Sequence, residues 1–397
     1  MPSTSTNEID IDRLLRRAVS SGAVPGVAAM AADDSGILCR AVSGDRAPGQ
    51  PWACDTVAWI ASMTKIIVSV AALQLVERGD LELDEPVGRV LPALREPAVL
   101  EGFSGDGRPV LRRARSHITL RHLLAHTAGY GYHFWNAEVG RYQQHAGLPN
   151  IIECREATLT TPLLFDPGTR WNYGTNTDWV GKAIEAVSGL SIEQYLRGHV
   201  LDPLGMHDTG FLLTEDRRRR LATMFARTED GPVGIDFEIT QEPEFQMSGG
   251  GMYGTPGDFL AFLRMLLGGG ALDGVRILRS DTLAEAAGNQ IGGLTIGRFT
   301  SADPGTSADV EFLPGVTKKW SLLGMLNAEP TSAGRSAGSL FWAGLANTYF
   351  WVDWDRRDTG VLFTQLLPFG DTEVLDLFDR FETLVHTFPM DDASPRA

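Results

Sequence analysis

The order of elements along the chain predicts an α+β fold, an α/β/α sandwich with a helical insertion. Residues 26–32 and 37–43 look like two strands around a tight turn, and residues 339–353 and 359–367 are β-rich. From about 81 to 250 the pattern is helical and is broken by Pro, Gly and Asp. We therefore expect both chain ends to pair into one antiparallel sheet, flanked by the terminal helices.

The predicted helices have recognisable starts and stops. Gly22 and Gly79 follow apolar helical patterns and are typical helix stops, whereas Thr255 and Pro256 are typical of a helix start. The helices are expected over residues 9–22, 62–78, 119–125, 176–188, 191–199, 256–267 and 371–387. The C-terminal strands form a hairpin pattern around residues 355–358.

The chain length of 397 residues suggests two folding units. We expect residues 1–80 together with 251–397 to form the α/β sheet domain, and residues 81–250 to form a mainly helical inserted domain. Because sites commonly lie between two such units, the active site is expected in the cleft between them.

Composition excludes several classes of partner. Acidic residues exceed basic ones by 50 to 35, so the net charge of −15 argues against nucleic acid and anionic membranes. The longest apolar stretch, residues 66–76, is far shorter than the roughly 20 residues that span a bilayer. The start of the chain lacks the pattern of a secretory signal, and Cys39, Cys54 and Cys154 are scattered, which favours a cytoplasmic location. With no Cys-x-x-Cys or His-Glu-x-x-His spacing, neither a metal nor a cofactor is expected.

Ser62 and Lys65 begin the helix over residues 62–78 and are three residues apart, so their side chains can touch. A serine hydroxyl needs a base to become a nucleophile, and a desolvated lysine can act as one, whereas arginine cannot. The chain has 31 arginines and only four lysines, so a lysine here indicates that the amine itself is required. The alternative is a serine cap followed by a solvated lysine. Against it, no other lysine of this chain has a serine three residues before it.

Several further segments accompany this pair. In chain order they are Trp59–Lys65, Glu77–Val87, Leu123–Gly129, Phe165–Gly168 with Tyr173, Asp202–Met206 and Gly249–Thr255. With these motifs the sequence resembles the serine β-lactamase-like superfamily, and most of all its class C β-lactamase and family VIII carboxylesterase branch. The resemblance runs from about residue 10 to 388. It implies a fold like that of β-lactamases and D-alanyl-D-alanine peptidases.

The resemblance also implies roles for individual residues. Ser62 would be the nucleophile, Lys65 its proton acceptor, and Tyr173 a second acid/base that passes a proton to the leaving group. Backbone N–H groups of Ser62 and Leu345 would form an oxyanion hole, which stabilises charge that develops in the transition state. A tyrosine between cationic groups is expected to have a lowered pKa.

Two departures from the family pattern narrow the expected substrate. Where lactamases have Lys-Thr-Gly, this chain has Trp342, Ala343 and Gly344 within an uncharged stretch, residues 336–352, and these three are expected to bind substrate. The Tyr-x-Asn motif also fails, because Asn176 comes one position late. We therefore expect a serine hydrolase, a carboxylesterase whose small-molecule substrates are neutral, fairly apolar esters. The alternatives are an acyltransferase, then an amidase, β-lactamase or D-alanyl peptidase, and last a non-catalytic binding homologue. The oligomeric state stays open.

An aromatic loop and two competing motifs complete the list of candidates. Tyr130, Tyr132, His133 and Trp135 could line a substrate pocket or could pack between the domains. Residues 334–338 satisfy Gly-x-Ser-x-Gly, but that motif needs a strand before it and a helix after it, so Ser336 is not expected to be the nucleophile. Residues 249–254 match a dinucleotide glycine pattern without the required preceding strand, and a turn is the better interpretation.

Overall fold

The computed structural model describes residues 6–388, with side chains from residue 8. Its α-helices are α1 (Thr6–Ser20), α2 (Thr64–Arg78), α3 (Leu120–Leu124), α4 (Ala137–Ala146), α5 (Asn176–Ser188), α6 (Ile192–Leu196), α7 (Glu215–Arg219), α8 (Pro256–Leu267), α9 (Ser280–Ala287) and α10 (Thr372–Val385). Its strands are β1 (Gly26–Asp33), β2 (Ile37–Ala47), β3 (Gln50–Pro51), β4 (Ala58–Trp59), β5 (Ala98–Phe103), β6 (Pro109–Arg113), β7 (Met224–Thr228), β8 (Gly231–Ile235), β9 (Tyr253–Gly254), β10 (Ala271–Leu272), β11 (Val275–Arg276), β12 (Lys318–Trp320), β13 (Met325–Asn327), β14 (Leu340–Gly344), β15 (Thr348–Asp353), β16 (Asp358–Phe363) and β17 (Leu366–Leu367).

One eight-stranded antiparallel sheet joins the two ends of the chain. Its strand order is β12-β13-β14-β15-β16-β1-β2-β3, so the N-terminal strands continue the sheet of the C-terminal ones. The two parts meet where β1 pairs with β16, from Ala28 opposite Phe363 to Asp33 opposite Asp358. This pairing confirms the sheet that the sequence predicts.

Helices cover both faces of this sheet. Successive side chains of a strand point to opposite faces. Phe350 of β15 packs on Phe259 of α8, with ring centroids 5.3 Å apart, whereas the next residue, Trp351, packs on Phe378 and Phe381 of α10. Helix α1 lies against α10 and β2. The three layers form the predicted α/β/α sandwich.

Helix α2 is buried on nearly every side, which is why its apolar residues show no single stripe. It ends where predicted, at Gly79, whose φ of 76° closes the helix in the left-handed conformation. Its buried body packs on α5 and α6, so the residues at its N-terminal end have fixed positions. No helix of the described residues is long and apolar enough to cross a membrane.

The expected β-rich stretch 339–353 proves to be two strands. Residues 345–347 form a tight turn between β14 and β15, and Asn347 has a φ of 56°. The Asn347 amide stabilises this turn by donating to the carbonyl oxygens of Leu366 and Pro368. Strands β12 and β13 were not predicted, because three residues each are too few to show an alternating pattern.

Candidate active site

Ser62 lies in the 3-10 turn Ala61–Met63, directly before α2. Ala61 has a φ of 44°, a left-handed conformation that residues with a Cβ rarely adopt and that is often found at functional sites. Met252 holds this turn from both sides. Its carbonyl accepts from Ile60 N–H at 3.0 Å, and its N–H donates to the Thr64 hydroxyl at 3.2 Å. Ser62 is only half-buried, although the residues on either side of it are buried.

The Lys65 side chain is buried beside Ser62. Its Nζ is 3.0 Å from Ser62 Oγ, 3.0 Å from the Tyr132 hydroxyl and 2.5 Å from the Gly249 carbonyl oxygen. Burial lowers the pKa of Lys65 to about 7, although the charge of Asp178 acts in the opposite direction. Near neutral pH a large fraction of the amine is therefore unprotonated, and its lone pair can accept a proton from the serine hydroxyl.

Tyr173 also lies next to the Ser62–Lys65 pair. Its hydroxyl accepts a hydrogen bond from Trp342 Nε1 at 2.9 Å, and its ring centroid is 4.6 Å from Lys65 Nζ. The expectation of a lowered pKa is wrong. Burial raises the pKa of the Tyr173 phenol more than its hydrogen bonds with Ser62 and Trp342 lower it. Tyr173 therefore keeps its proton at neutral pH and is a hydrogen-bond donor.

The His126 ring packs against the Tyr173 ring. It is buried with a φ of 56°, and its ring centroid is 4.7 Å from that of Tyr173. Its Nδ1 is 2.8 Å from Nδ2 of Asn176, at the start of α5. Burial lowers the pKa of His126 well below its ordinary value, so the ring is neutral. The asparagine that comes one position late thus contacts His126.

Strand β14 brings Trp342, Ala343 and Gly344 against the turn that carries Ser62. A Cβ on Gly344 would lie 2.4 Å from the Ile60 carbonyl oxygen and 2.3 Å from Thr348 Oγ1, closer than real contacts allow. Only glycine therefore permits this approach of strand and turn. Leu345, the next residue, is half-buried at the end of the strand.

A cavity of about 200 Å³ opens beside Tyr173. Aromatic rings form one part of its lining, from Trp135, Trp171, Tyr173 and Phe299, and polar side chains form the rest, from Asn172, Thr295, Arg298 and Thr300. Trp342 and Trp320 pack next to this wall, with ring centroids 4.8 Å apart. Large aromatic side chains of this kind bind apolar groups of a ligand.

The four residues of the aromatic loop lie in different environments. Tyr132 contacts Lys65 and Trp135 lines the cavity. Tyr130 is buried against Trp179, with ring centroids 6.4 Å apart. His133 is half-buried and packs edge-on against Phe134. A substrate-binding role for the four residues stays a prediction.

Asp178 and Gly249 were not singled out as site residues in the sequence. The Asp178 carboxylate is buried in the first turn of α5, and its Oδ1 accepts from Gly249 N–H at 2.9 Å. Burial raises the pKa of Asp178 to about 6. An acidic residue in a first helical turn usually complements the helix dipole, so its position along the chain gave no signal. Gly249 belongs to a glycine run in which no single position stands out.

Ser336, the competing serine, lies in the turn that leads into β14. Its N–H donates to Asp353 Oδ2 at 2.6 Å, and its carbonyl accepts from the Asn327 amide at 2.6 Å. A strand follows this serine, where a nucleophile elbow requires a helix.

Comparison with known proteins agrees with this geometry. The model of the Beta-lactamase family matches residues 11–383. Monacolin J acid methylbutanoyltransferase of Aspergillus terreus is 32% identical over 394 residues, 95% of each chain. Lovastatin esterase of Penicillium rubens is 33% identical over 279 residues, 68% of this chain and 67% of that protein. The solved structure of simvastatin synthase (LovD) from Aspergillus terreus superimposes with a TM-score of 0.82 at 30% identity, covering 96% of this chain and 98% of that one.

These relatives are acyltransferases and an esterase, so the chain is an enzyme of the serine hydrolase type. The expected fold and the expected class of chemistry are both confirmed. The chain belongs to the β-lactamase family.

Proposed function

We propose that this protein is a carboxylesterase that forms an acyl-enzyme on Ser62. The observation that carries the proposal is the 3.0 Å contact between Ser62 Oγ and the buried amine of Lys65. Because burial lowers the pKa of that amine to about 7, it can remove the hydroxyl proton at physiological pH.

The proposed reaction has two halves. Ser62 Oγ attacks the ester carbonyl and its proton moves to the Lys65 amine, while backbone N–H groups of Ser62 and Leu345 stabilise the oxyanion. Tyr173 then donates its phenolic proton to the leaving alcohol and regains one from the Lys65 ammonium. Water then attacks the acyl-enzyme, its proton passes through Tyr173 and Lys65 to Ser62 Oγ, and the acid is released. The water proton thus replaces the one that left with the alcohol, and the three side chains regain their starting protonation states.

The proposed substrate is a small-molecule ester whose acyl and alcohol parts are neutral and apolar. Trp342 supplies an uncharged N–H where the lactamases of the resembled branch have a lysine. Four aromatic rings form one part of the nearby cavity, and its one charged lining residue, Arg298, is paired with Asp309. The relative named lovastatin esterase supports an ester of this kind. We expect weak turnover of cephalosporins at most, and efficient turnover would contradict this choice of substrate.

An acyltransferase is the second candidate, because an alcohol that excludes water from the acyl-enzyme would take the acyl group. The observation that favours it is the 95% mutual coverage with the methylbutanoyltransferase, whereas the esterase is matched over about two thirds of its length. In that case the cavity beside Tyr173 would bind the acceptor alcohol.

The domain arrangement expected from the sequence is part of the proposal. Ser62 and Trp342 come from the segments assigned to the sheet domain, whereas Tyr132, Tyr173 and Asp178 come from residues 81–250. Their contacts support a site in the cleft between the two units. A cytoplasmic location is also proposed, on the basis of three free cysteines of which Cys39 and Cys154 are buried.

One experiment tests the activity and separates the two candidates. Hydrolysis of p-nitrophenyl esters with acyl chains of increasing length is measured for the wild type and for Ser62→Ala, with and without an added alcohol. We expect activity that depends on Ser62 and rises with apolar chain length. A carboxylesterase releases mainly free acid, whereas an acyltransferase forms mainly the new ester. Equal activity of both proteins would contradict the proposed function.

A further inference from the structure

Asp178 is a buried charge that the proposed reaction does not use. Its side chain is 1% exposed, and its Oδ2 has no hydrogen-bond partner among the described residues. Leaving a buried carboxylate oxygen unpaired costs stability. Such an arrangement is unusual in a protein core and calls for a functional explanation.

Gly249 connects this carboxylate to the candidate catalytic amine. Its N–H donates to Asp178 Oδ1 at 2.9 Å, and its carbonyl oxygen accepts from Lys65 Nζ at 2.5 Å. A Cβ on Gly249 would lie 2.7 Å from Asp178 Oδ2 and 2.9 Å from the Tyr132 hydroxyl. Glycine at this position therefore lets the carboxylate, the tyrosine hydroxyl and the lysine contact surround one backbone residue.

We propose that Asp178 is a positioning residue for the Ser62–Lys65 pair: it fixes the Gly249 carbonyl against Lys65, and its negative charge favours the protonated form of the amine. The inference rests on the proposed function of Lys65 as the base. Asp178 acts through Gly249 and through its charge.

Asp178 is the charged group that raises the pKa of Lys65, against the lowering caused by burial. Tyr132 and Tyr173 also face Lys65, and burial raises the pKa of both phenols, so they are neutral. His126 is neutral as well, because burial lowers its pKa. Burial raises the pKa of the Cys154 thiol, near Asp178, to about 12. Burial raises the pKa of Asp178 itself to about 6, so above that pH its negative charge is the one that favours a proton on the amine.

The sign of the effect follows from this arrangement. Only unprotonated Lys65 accepts the proton of Ser62, so the rate falls as pH decreases through the pKa of the amine. Removing the negative charge makes the Lys65 ammonium less favourable and lowers the pKa of the amine. The acidic limb of the pH–rate profile, where the rate falls with decreasing pH, therefore moves to lower pH. A nearby opposite charge typically shifts a pKa by about 1 unit or more, and the limb is expected to move by about that amount.

The test measures the rate of fluorophosphonate labelling against pH for the wild type, Asp178→Asn and Asp178→Ala. Asp178→Asn removes the charge, so its acidic limb is expected to move down by about one pH unit. Because the asparagine oxygen can still accept from Gly249 N–H, the rate at high pH should fall less in this variant than in Asp178→Ala. Asp178→Glu keeps the charge, and its limb stays close to that of the wild type. A purely structural role would lower the plateau and leave the limb in place, which would overturn the proposal.

Asp258→Asn is the matched control, because Asp258 is also largely buried and accepts from Asp208 N–H and the Thr209 hydroxyl. We expect no displacement of its limb. If Asp178→Asn does not fold, Asp178→Ser removes the charge with a smaller side chain and gives the same reading. If the wild type is labelled on Ser62 but the acidic limb of Asp178→Asn does not move, this inference alone is refuted. Wild type unlabelled on Ser62 refutes the proposed function.

Discussion

The indole N–H of Trp342 donates a 2.9 Å hydrogen bond to the hydroxyl of Tyr173. The two rings also pack edge to face, with centroids 4.9 Å apart. A neutral donor at this position leaves the Tyr173 proton free to point towards Ser62 or a leaving group. The indole also carries no positive charge that could bind a substrate carboxylate, which supports the proposal of a neutral ester as substrate.

Trp342→Phe keeps an aromatic ring but removes this donor. Because a typical hydrogen bond contributes about 1 kcal/mol, we expect kcat for p-nitrophenyl esters to fall by roughly fivefold with little change in KM. Steady-state kinetics measure both constants. An unchanged kcat would show that the Trp342 N–H does not assist Tyr173.

Tyr173→Phe removes the hydroxyl and keeps the ring that packs on His126. Loss of a proton-transferring group typically costs about 10²- to 10⁴-fold, so we expect kcat to fall by that amount. Esters with an easily released alcohol should be affected less than alkyl esters, because they need less protonation. An equal loss for both ester types would argue against the proton-donor role.

Lys65→Arg keeps a positive charge in the first turn of α2, but an arginine side chain stays protonated near neutral pH and cannot accept the serine proton. Loss of general-base assistance typically lowers a rate by about 10²- to 10⁴-fold, so we expect the rate of fluorophosphonate labelling to fall by at least about 10²-fold. Lys182→Arg is the matched control, since Lys182 forms a more exposed ion pair with Glu156, and it should label normally. Rapid labelling of Lys65→Arg would contradict the assignment of the base.

The pH dependence has a defined sign. Burial lowers the pKa of Lys65 to about 7, and the free amine is the active form. We therefore expect kcat/KM to be constant above this pH and to fall about tenfold per pH unit well below it. The profile is measured in buffers of constant ionic strength. Activity that rises as the pH falls from 7 to 5 would rule out a lysine base.

Gly344→Ala tests the approach of β14 to the nucleophile turn. The added methyl would lie 2.4 Å from the Ile60 carbonyl oxygen, so the strand must shift away from Ser62. Displacing an oxyanion donor costs about 10²- to 10³-fold in kcat, which is the loss expected. Gly36→Ala is the control, because its Cβ would meet no atom within 4 Å. A loss of thermal stability without a loss of kcat would contradict the oxyanion role of this segment.

The sequence predicts the sheet and the helix of the nucleophile because both have strong local patterns. Turn signals at residues 33–36 and 355–358 indicate the strands on either side of them, Gly79 marks a helix end, and Pro256 marks a helix start. Strands β12 and β13 escaped prediction because they are too short for a period and are stabilised mainly by their neighbours in the sheet.

Within the candidate site, too, the residues that are neighbours in sequence are predictable, whereas those brought together by the fold are not. Ser62 and Lys65 are neighbours on one turn, so their contact follows from spacing alone. Asp178 approaches Lys65 only through the fold, 113 positions further along the chain, and its charge has no local signature. The wrong expectation for the pKa of Tyr173 has a related cause. The sequence shows which charges are present, but the depth of burial, which dominates that pKa, depends on tertiary packing.

The most direct test of the account identifies the residue that carries the acyl group. The protein is incubated with a fluorophosphonate, digested, and the modified peptide is mapped by mass spectrometry. We predict one adduct, on Ser62, that is absent in Ser62→Ala and slow to form in Lys65→Arg. An adduct on Ser336 or on any other residue, formed equally in Ser62→Ala, would contradict the account.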